Sequence, residues 1–400
     1  MASDTPARRC NSCRALASPG HDLLDCAGCQ AAAYCNASCQ RADRKSHKDT
    51  CRAAAKRAFE ASLAKAQAGN VREASRLVFN YANGVGVPKN DVEAAKWTAR
   101  AAEAGVANSQ MLLGMFLTYG QGVEKDTAQA AVWYLRAAQA GIVEAQYAIA
   151  HCYLTGNGTE KNLAQATYWL RLAAEAGYAD AQTTLSGCLD EGHGVDKNPE
   201  QATEWVRRAA ESGDSKAQCW LAHRYRNGIG TPQDITQALL WMHRAALAGF
   251  AEAQYSLAHC YHDGVGVAKS PAEAVAWLRR AADAGFVSAQ VFLASWYRSG
   301  YGVEKSLATA IVWLRRAAAA ALPCSQVAQY QLACMLSEGG EGVVVDLVEA
   351  FALLLLSAEF GCVDAQIRVA ECYQWGTGVT ADAAKAAAWR LRARAGGGAV

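Results

Sequence analysis

The sequence lacks most of what would place it in a membrane, a secretory route or a nucleic-acid complex. No apolar run approaches the roughly 18–20 residues needed to span a bilayer, and a stretch such as Phe351–Leu356 fits inside one short helix. Met1–Cys10 has no apolar core of the kind a secretory leader carries. Net charge is only +2 over 400 residues. Residues 1–60 hold ten Lys or Arg against six Asp or Glu, so they stand at +4 and the remainder at −2. That is too little to argue for nucleic acid by charge alone. The local cluster Arg41, Arg44, Lys45 and Lys48 reads as a solvated helix face.

What the sequence has is repetition. Tryptophan recurs every 36 residues at Trp97, Trp133, Trp169, Trp205, Trp241, Trp277 and Trp313. Gly105, Gly141, Gly177, Gly213, Gly249 and Gly285 keep the same period, and alanine stands three residues before each Trp. A glycine pair recurs inside each copy, from Gly84/Gly86 to Gly376/Gly378. Nine copies run from about residue 69 to about residue 397; the copy at 324–361 is irregular, with Leu353 in the Trp slot. A fixed period of this length means stacked copies of one small unit, each leaning on its neighbours to bury its apolar face.

Each copy reads as two helices. In residues 250–285 the first runs from Ala251 to Tyr261, with Leu257 and Tyr261 on one face, and Gly264 and Gly266 break it. Ser270-Pro271-Ala272-Glu273 starts the second, and Gly285 ends it. The same start recurs with Asn90, Asp126, Asn162, Asn198 and Asp234 as caps. Glu or Gln follows three residues later and is expected to reach back to the cap's N–H. Cys152, Cys188, Cys260 and Cys372 share one slot, roughly 10 Å apart by helix diameter, which exceeds disulfide reach. They read as small core residues. His151, His223 and His259 also share a slot but lie 36 or 72 residues apart, too far for one catalytic or metal site. No nucleophile–base constellation appears, and no span is left for a catalytic domain.

The pattern Gly-x-Gly-Val-x-x-(Asp/Asn), Ala-x-x-Trp, Ala-Ala-x-x-Gly resembles the Sel-one-like repeat, a relative of the tetratricopeptide repeat, over about four fifths of the chain. The resemblance implies an all-α, right-handed α-solenoid acting as an adaptor in protein complexes, with the first helix of each copy lining the concave face.

Residues 1–55 differ in composition. Cys10, Cys13, Cys26, Cys29, Cys35, Cys39, His47 and Cys51 form two C-x-x-C pairs, a C-x-x-x-C pair and an H-x-x-x-C pair. Eight thiolate or imidazole donors suit two tetrahedral Zn²⁺ sites with no open position, hence structural rather than catalytic zinc. A segment this short draws its folding free energy from the metal. The layout resembles a MYND finger. By that resemblance Cys10, Cys13, Cys35 and Cys39 hold one zinc and Cys26, Cys29, His47 and Cys51 the other. It also implies peptide binding near Gln40, with Arg44 where the family has a tryptophan and Ala27 where it has a small polar residue.

The expected organisation is a finger at 1–55, a helical connector at 56–68, a solenoid at 69–397 and a tail at 398–400. A second stripe on the first helices gathers Tyr147, His151, His223, Arg226, Tyr255, His259, His262 and Arg298, a composition that suits protein interfaces. The reading is a non-enzymatic intracellular adaptor for other proteins, with two structural zinc ions and no small-molecule substrate. The alternative is a nuclear regulator whose finger contacts chromatin or nucleic acid.

Overall fold

The computed structural model describes Leu24–Asp25, Ala33–Tyr34 and residues 44–320 and 325–397, with side chains from residue 53 onward. Among the described residues are nineteen helices and one two-stranded antiparallel ribbon that pairs Leu24 with Tyr34 and Asp25 with Ala33. The chain divides into two compact units, Met1–Lys197 and Asn198–Val400. In each, consecutive helices stack against their sequence neighbours as an α-solenoid.

In the first unit a 24-residue helix, Arg44–Gln67, precedes the repeats. It crosses the expected boundary at residue 55 without interruption. Its later half takes the place of a second repeat helix. A Cβ on Gly86 would overlap the Ala55 carbonyl oxygen, and one on Gly122 would overlap that of Asp91, 36 residues further on. Phe59 is buried and meets Tyr81 edge-on at 5.3 Å. Phe59 and Ala66 join Leu77, Val78 and Trp97 in one core cluster. The solenoid therefore opens on half a repeat, residues 55–67, whose Trp slot holds Ala61.

The 13-residue helices that follow, Val71–Asn83, Asp91–Glu103, Ala107–Tyr119, Thr127–Gln139, Val143–Thr155, Leu163–Glu175 and Ala179–Glu191, alternate as first and second helices. First helices end on a left-handed glycine, such as Gly84 at φ 71°. Second helices start on a capping side chain: Asn90 accepts from Glu93 N at 3.1 Å.

The expected reciprocal bond from Glu or Gln at the third position does not form among the described residues. The cap's own N–H is already used. Asn90 N donates to Tyr81 O, Asp126 N to Leu117 O and Asn162 N to Tyr153 O, each at 2.9 Å. That bond ties the second helix to the first and leaves the Glu or Gln side chain nothing to satisfy.

The second unit repeats this plan from Pro199–Glu211 to Ala383–Ala395. Second helices bury a stripe of small residues beside the Trp. In Pro271–Asp283, Ala274, Leu278, Ala281 and Ala282 are at most 1% exposed and Trp277 is 7% exposed. In Ala251–Asp263, Ala253, Leu257 and Ala258 are fully buried.

Two further columns complete the packing in both units. An arginine three residues after the Trp lies over its ring at 4.5–4.8 Å in seven repeats, Arg280 over Trp277 among them. Its aliphatic stem covers apolar surface while its charge faces the ring. From Ala107–Tyr119 onward, a buried or half-buried glutamine in each first helix donates from Nε2 to an alanine carbonyl at the end of the preceding second helix. Examples are Gln182 to Ala174 O and Gln254 to Ala246 O, both at 3.0 Å. Each carbonyl also accepts from the glycine that ends its helix, Ala174 O from Gly177 N at 3.0 Å and Ala246 O from Gly249 N at 3.1 Å, so the glutamine fills its second lone pair.

Among the described residues no helix is long and apolar enough to cross a membrane.

Candidate protein-binding surface

The proposed zinc ligands Cys10, Cys13, Cys26, Cys29, Cys35 and Cys39, and Gln40 beside them, lie outside the described residues. So do the side chains of Arg44, His47 and Cys51, whose backbone belongs to the Arg44–Gln67 helix. That helix sets His47 and Cys51 one turn apart, a spacing that suits two ligands of one ion.

In the second compact unit the stripe gathers into one ring cluster. On Ala251–Asp263, Tyr255 meets His259 at 4.6 Å and His259 meets His262 at 6.5 Å. The next first helix, Val287–Ser299, adds Phe292, 4.9 Å from His259 and 5.7 Å from Tyr255. Trp296 lies 5.3 Å from His262 at a 33° tilt, and Tyr301 meets both, at 4.7 Å and 5.0 Å. Phe286 closes the other end, 5.2 Å from Tyr255. The mostly edge-on geometry is the favourable one for aromatic pairs. Trp296 anchors the cluster at 6% exposure, while Phe292 stands 39% exposed. On the preceding first helix, Ser215–Asn227, His223 and Arg226 are exposed and Lys216 sits 4.8 Å over the ring of exposed Trp220. Arg298 is exposed on Val287–Ser299.

In the first compact unit the stripe is thinner. Tyr147 meets Tyr178 at 5.2 Å, the same pairing that Tyr255 makes with Phe286, and His151 is exposed without a ring partner among the described residues.

The electrostatics favour contact over chemistry. Burial holds His259 below the ordinary imidazole range; Asp263 opposes this, and His262 and Arg226 add to it. Burial pushes the Cys260 thiol up, and the Cys219 thiol up to about 12. The thiols beneath the surface are therefore protonated at neutral pH and poor nucleophiles. The surface can offer neutral rings, imidazole hydrogen bonds and exposed guanidinium groups.

The sequence reading found Tyr255, His259 and His262 but missed Phe286, Phe292, Trp296 and Tyr301. Phe286 was visible as an aromatic 31 residues after Tyr255, the spacing of Tyr178 after Tyr147. Trp296 was hidden because its slot holds cysteine at Cys152, Cys188 and Cys260.

Comparison with known proteins agrees with this architecture. The family model of the Sel1 repeat matches nine times, at residues 75–106, 107–142, 143–178, 179–214, 215–250, 251–286, 287–322, 326–361 and 363–397. The MYND finger model matches residues 10–51. Among solved structures, a Sel1 repeat protein from Oxalobacter formigenes is similar with a TM-score of 0.65 and 29% identity, over 76% of this chain and 88% of that one. A protective antigen of uropathogenic Escherichia coli displaying an SLR fold is similar with a TM-score of 0.58 and 27% identity, over 90% and 89%. No curated protein matches the chain.

Proposed function

Because the chain belongs to the Sel1 repeat family, we propose that it is a non-enzymatic adaptor inside the cell that holds other proteins along the first helices of its repeats. The observation that carries this is the ring cluster from Tyr255 to Tyr301. Seven rings line two adjacent first helices, and Phe292 is left 39% exposed at their centre. Aromatic and histidine side chains displayed together suit a protein interface, where rigid rings bury large areas at small entropic cost. His223, Arg226 and Arg298 extend the stripe within the second compact unit, and Tyr147 and His151 hold the equivalent positions in the first.

The finger at 1–55 is the second module in this reading. Its match to the MYND family implies zinc, and its donor set of seven thiols and one imidazole is the chemistry zinc prefers. Cys10, Cys13, Cys35 and Cys39 would hold one ion and Cys26, Cys29, His47 and Cys51 the other. The metal supplies folding free energy only. In this reading residues 69–397 make up the nine repeats, the stretch expected as a connector at 56–68 serves as the half repeat that opens the solenoid, and 398–400 is a tail. Gln40 and Arg44 mark the finger's own contact surface.

A photo-crosslinker placed in the full chain at Phe292, and separately at Val312, tests the reading. Val312 is 51% exposed on a second helix, Leu307–Ala318. A protein partner should crosslink from 292 and not from 312. Equal labelling from both, or none from 292, overturns it.

A further inference from the structure

The second compact unit carries fourteen arginines, and two of them are set apart. Arg207 and Arg208 both bind Glu204. Arg315 binds Glu349 at 2.7 Å, and Arg368 binds Glu371. Arg244, Arg280, Arg316 and Arg392 lie over tryptophan rings. Arg279 donates to Tyr297 Oη, Arg390 to Gln374, and buried Arg224 to Thr203 Oγ1. Arg394 is engaged as well. The guanidinium groups of Arg226 and Arg298 have no hydrogen bond, ion pair or ring contact among the described residues, and both are exposed.

These two sit at equivalent positions of their repeats. Arg226, His262 and Arg298 are 36 residues apart and form a ladder on three consecutive first helices, beside the ring cluster. In the first compact unit the same position holds Ala82, Thr118, Leu154 and Asp190, so the ladder belongs to residues 215–299 alone. The helices Ser215–Asn227 and Val287–Ser299 contain no acidic residue. Ala251–Asp263 has Glu252 and Asp263, the latter 3.9 Å from His262 Nε2.

We propose that this face binds an extended acidic peptide whose carboxylates pair with Arg226 and Arg298 while an apolar side chain between them rests on Phe292 and His259. The inference deepens the adaptor reading and rests on it. Unpaired guanidinium forks match carboxylates bidentately. Neighbouring first helices lie about 10 Å apart by helix diameter, so the two arginines are about 20 Å apart. An extended chain rises about 3.3 Å per residue, which places the carboxylates roughly six residues apart. A polynucleotide is the less suitable anion. It presents a phosphate at every step and is held by many neutralising contacts, whereas this face offers two free arginines and Lys216 against two carboxylates.

The probe is a fluorescent ten-residue peptide with Asp at positions 2 and 8 and Leu at 5, titrated against the full chain. Controls replace both Asp by Asn, or Leu by Ser. The protein variants are Arg226→Glu with Arg298→Glu, and Phe292→Ala; all change exposed side chains, and circular dichroism checks their fold. Saturable binding should weaken roughly tenfold or more on either charge change, and by a smaller factor in Phe292→Ala or the Ser peptide. If the Asn peptide binds as well as the Asp peptide but still loses affinity to Phe292→Ala, the acidic inference is wrong and the adaptor surface stands. If no peptide binds and Phe292 crosslinks nothing, both fail. Tighter binding of single-stranded RNA of equal length, lost on the same charge reversal, overturns the peptide in favour of a nucleic acid.

Discussion

Two glycine columns share the 36-residue period and a left-handed backbone, yet substitution should separate them sharply. Gly105 ends the helix Asp91–Glu103 with φ +87°, and nothing lies within 4 Å of where its Cβ would be. Gly122 has φ +69°, and its Cβ would overlap the Asp91 carbonyl oxygen and lie 2.9 Å from Val92 N. Gly105→Ala therefore costs only left-handed strain, about 1–2 kcal/mol. Gly122→Ala bears the same strain and collides with backbone that no rotamer change can move. The turn must withdraw by roughly 1 Å, which forfeits a quarter to a half of the dispersion contacts it made. Overpacking of this kind adds about 1–3 kcal/mol, for a total of about 2–5 kcal/mol. Because a solenoid is coupled between nearest neighbours and need not unfold in one step, native-state hydrogen exchange is the suitable assay. Gly122→Ala should accelerate exchange across 91–119 well beyond any change in Gly105→Ala. Equal effects, or a larger effect at Gly105, would refute the close-approach argument.

Further outcomes follow from the same packing. Trp205→Ala should destabilise by about 3–5 kcal/mol, since the ring is 8% exposed and carries Arg208 at 4.7 Å; exchange protection in the neighbouring helices 199–211 and 215–227 reports it. Gln254→Ala should cost about 0.5–1.5 kcal/mol by removing one hydrogen bond to the Ala246 carbonyl, which keeps the one from Gly249 N, read as faster exchange at the end of Ile235–Leu247. Chelating zinc from the full chain should lower protection at residues 55–83 before it affects 91–191, because the helix that carries His47 and Cys51 also packs on the first repeat; unchanged protection at 55–83 would count against the coupling. His259, held below its ordinary pKa by burial, stays neutral when folded while the unfolded chain takes up a proton. Its contribution to stability is therefore lost as pH falls from about 6.5 toward its lower folded pKa, and the pH slope of denaturation should flatten in His259→Asn.

The repeat and its helices were legible because glycine, proline and capping residues act locally. Gly264 must adopt a left-handed backbone wherever its neighbours go, and Ser270 caps the chain that follows it. What stayed hidden depends on partners far along the chain. The buried glutamines recur every 36 residues from Gln110 to Gln290, but only the fold reveals that each donates to a carbonyl eight residues back across a turn. Glu93 looked like half of a reciprocal cap until Tyr81 O took the N–H of Asn90. The half repeat at 55–67 escaped because Ala61 replaces the tryptophan that marks every regular copy, although Gly69 keeps the 36-residue register with Gly105. The stripe was visible in type and incomplete in membership, since the slot of Phe292 holds Ser256 and Thr184 in other copies and that of Trp296 holds Cys260 and Cys188.

The junction between finger and repeats is helix interior, and this has a functional consequence. Residues 52–58 read Arg-Ala-Ala-Ala-Lys-Arg-Ala, strong helix formers without glycine or proline, in the middle of Arg44–Gln67. Bending there would break backbone hydrogen bonds that no flanking loop replaces. A flexible linker would let two binding modules search independently, with an effective concentration set by linker length. A continuous helix instead fixes the direction in which the chain leaves the first repeat. A partner touching both modules would then meet a preset spacing along that helix, at 1.5 Å per residue. Such a partner is selected by the distance between its two contact segments as well as by their chemistry. Inserting glycines between Arg52 and Ala58 should weaken a two-segment partner while leaving single-segment binding to either module unchanged.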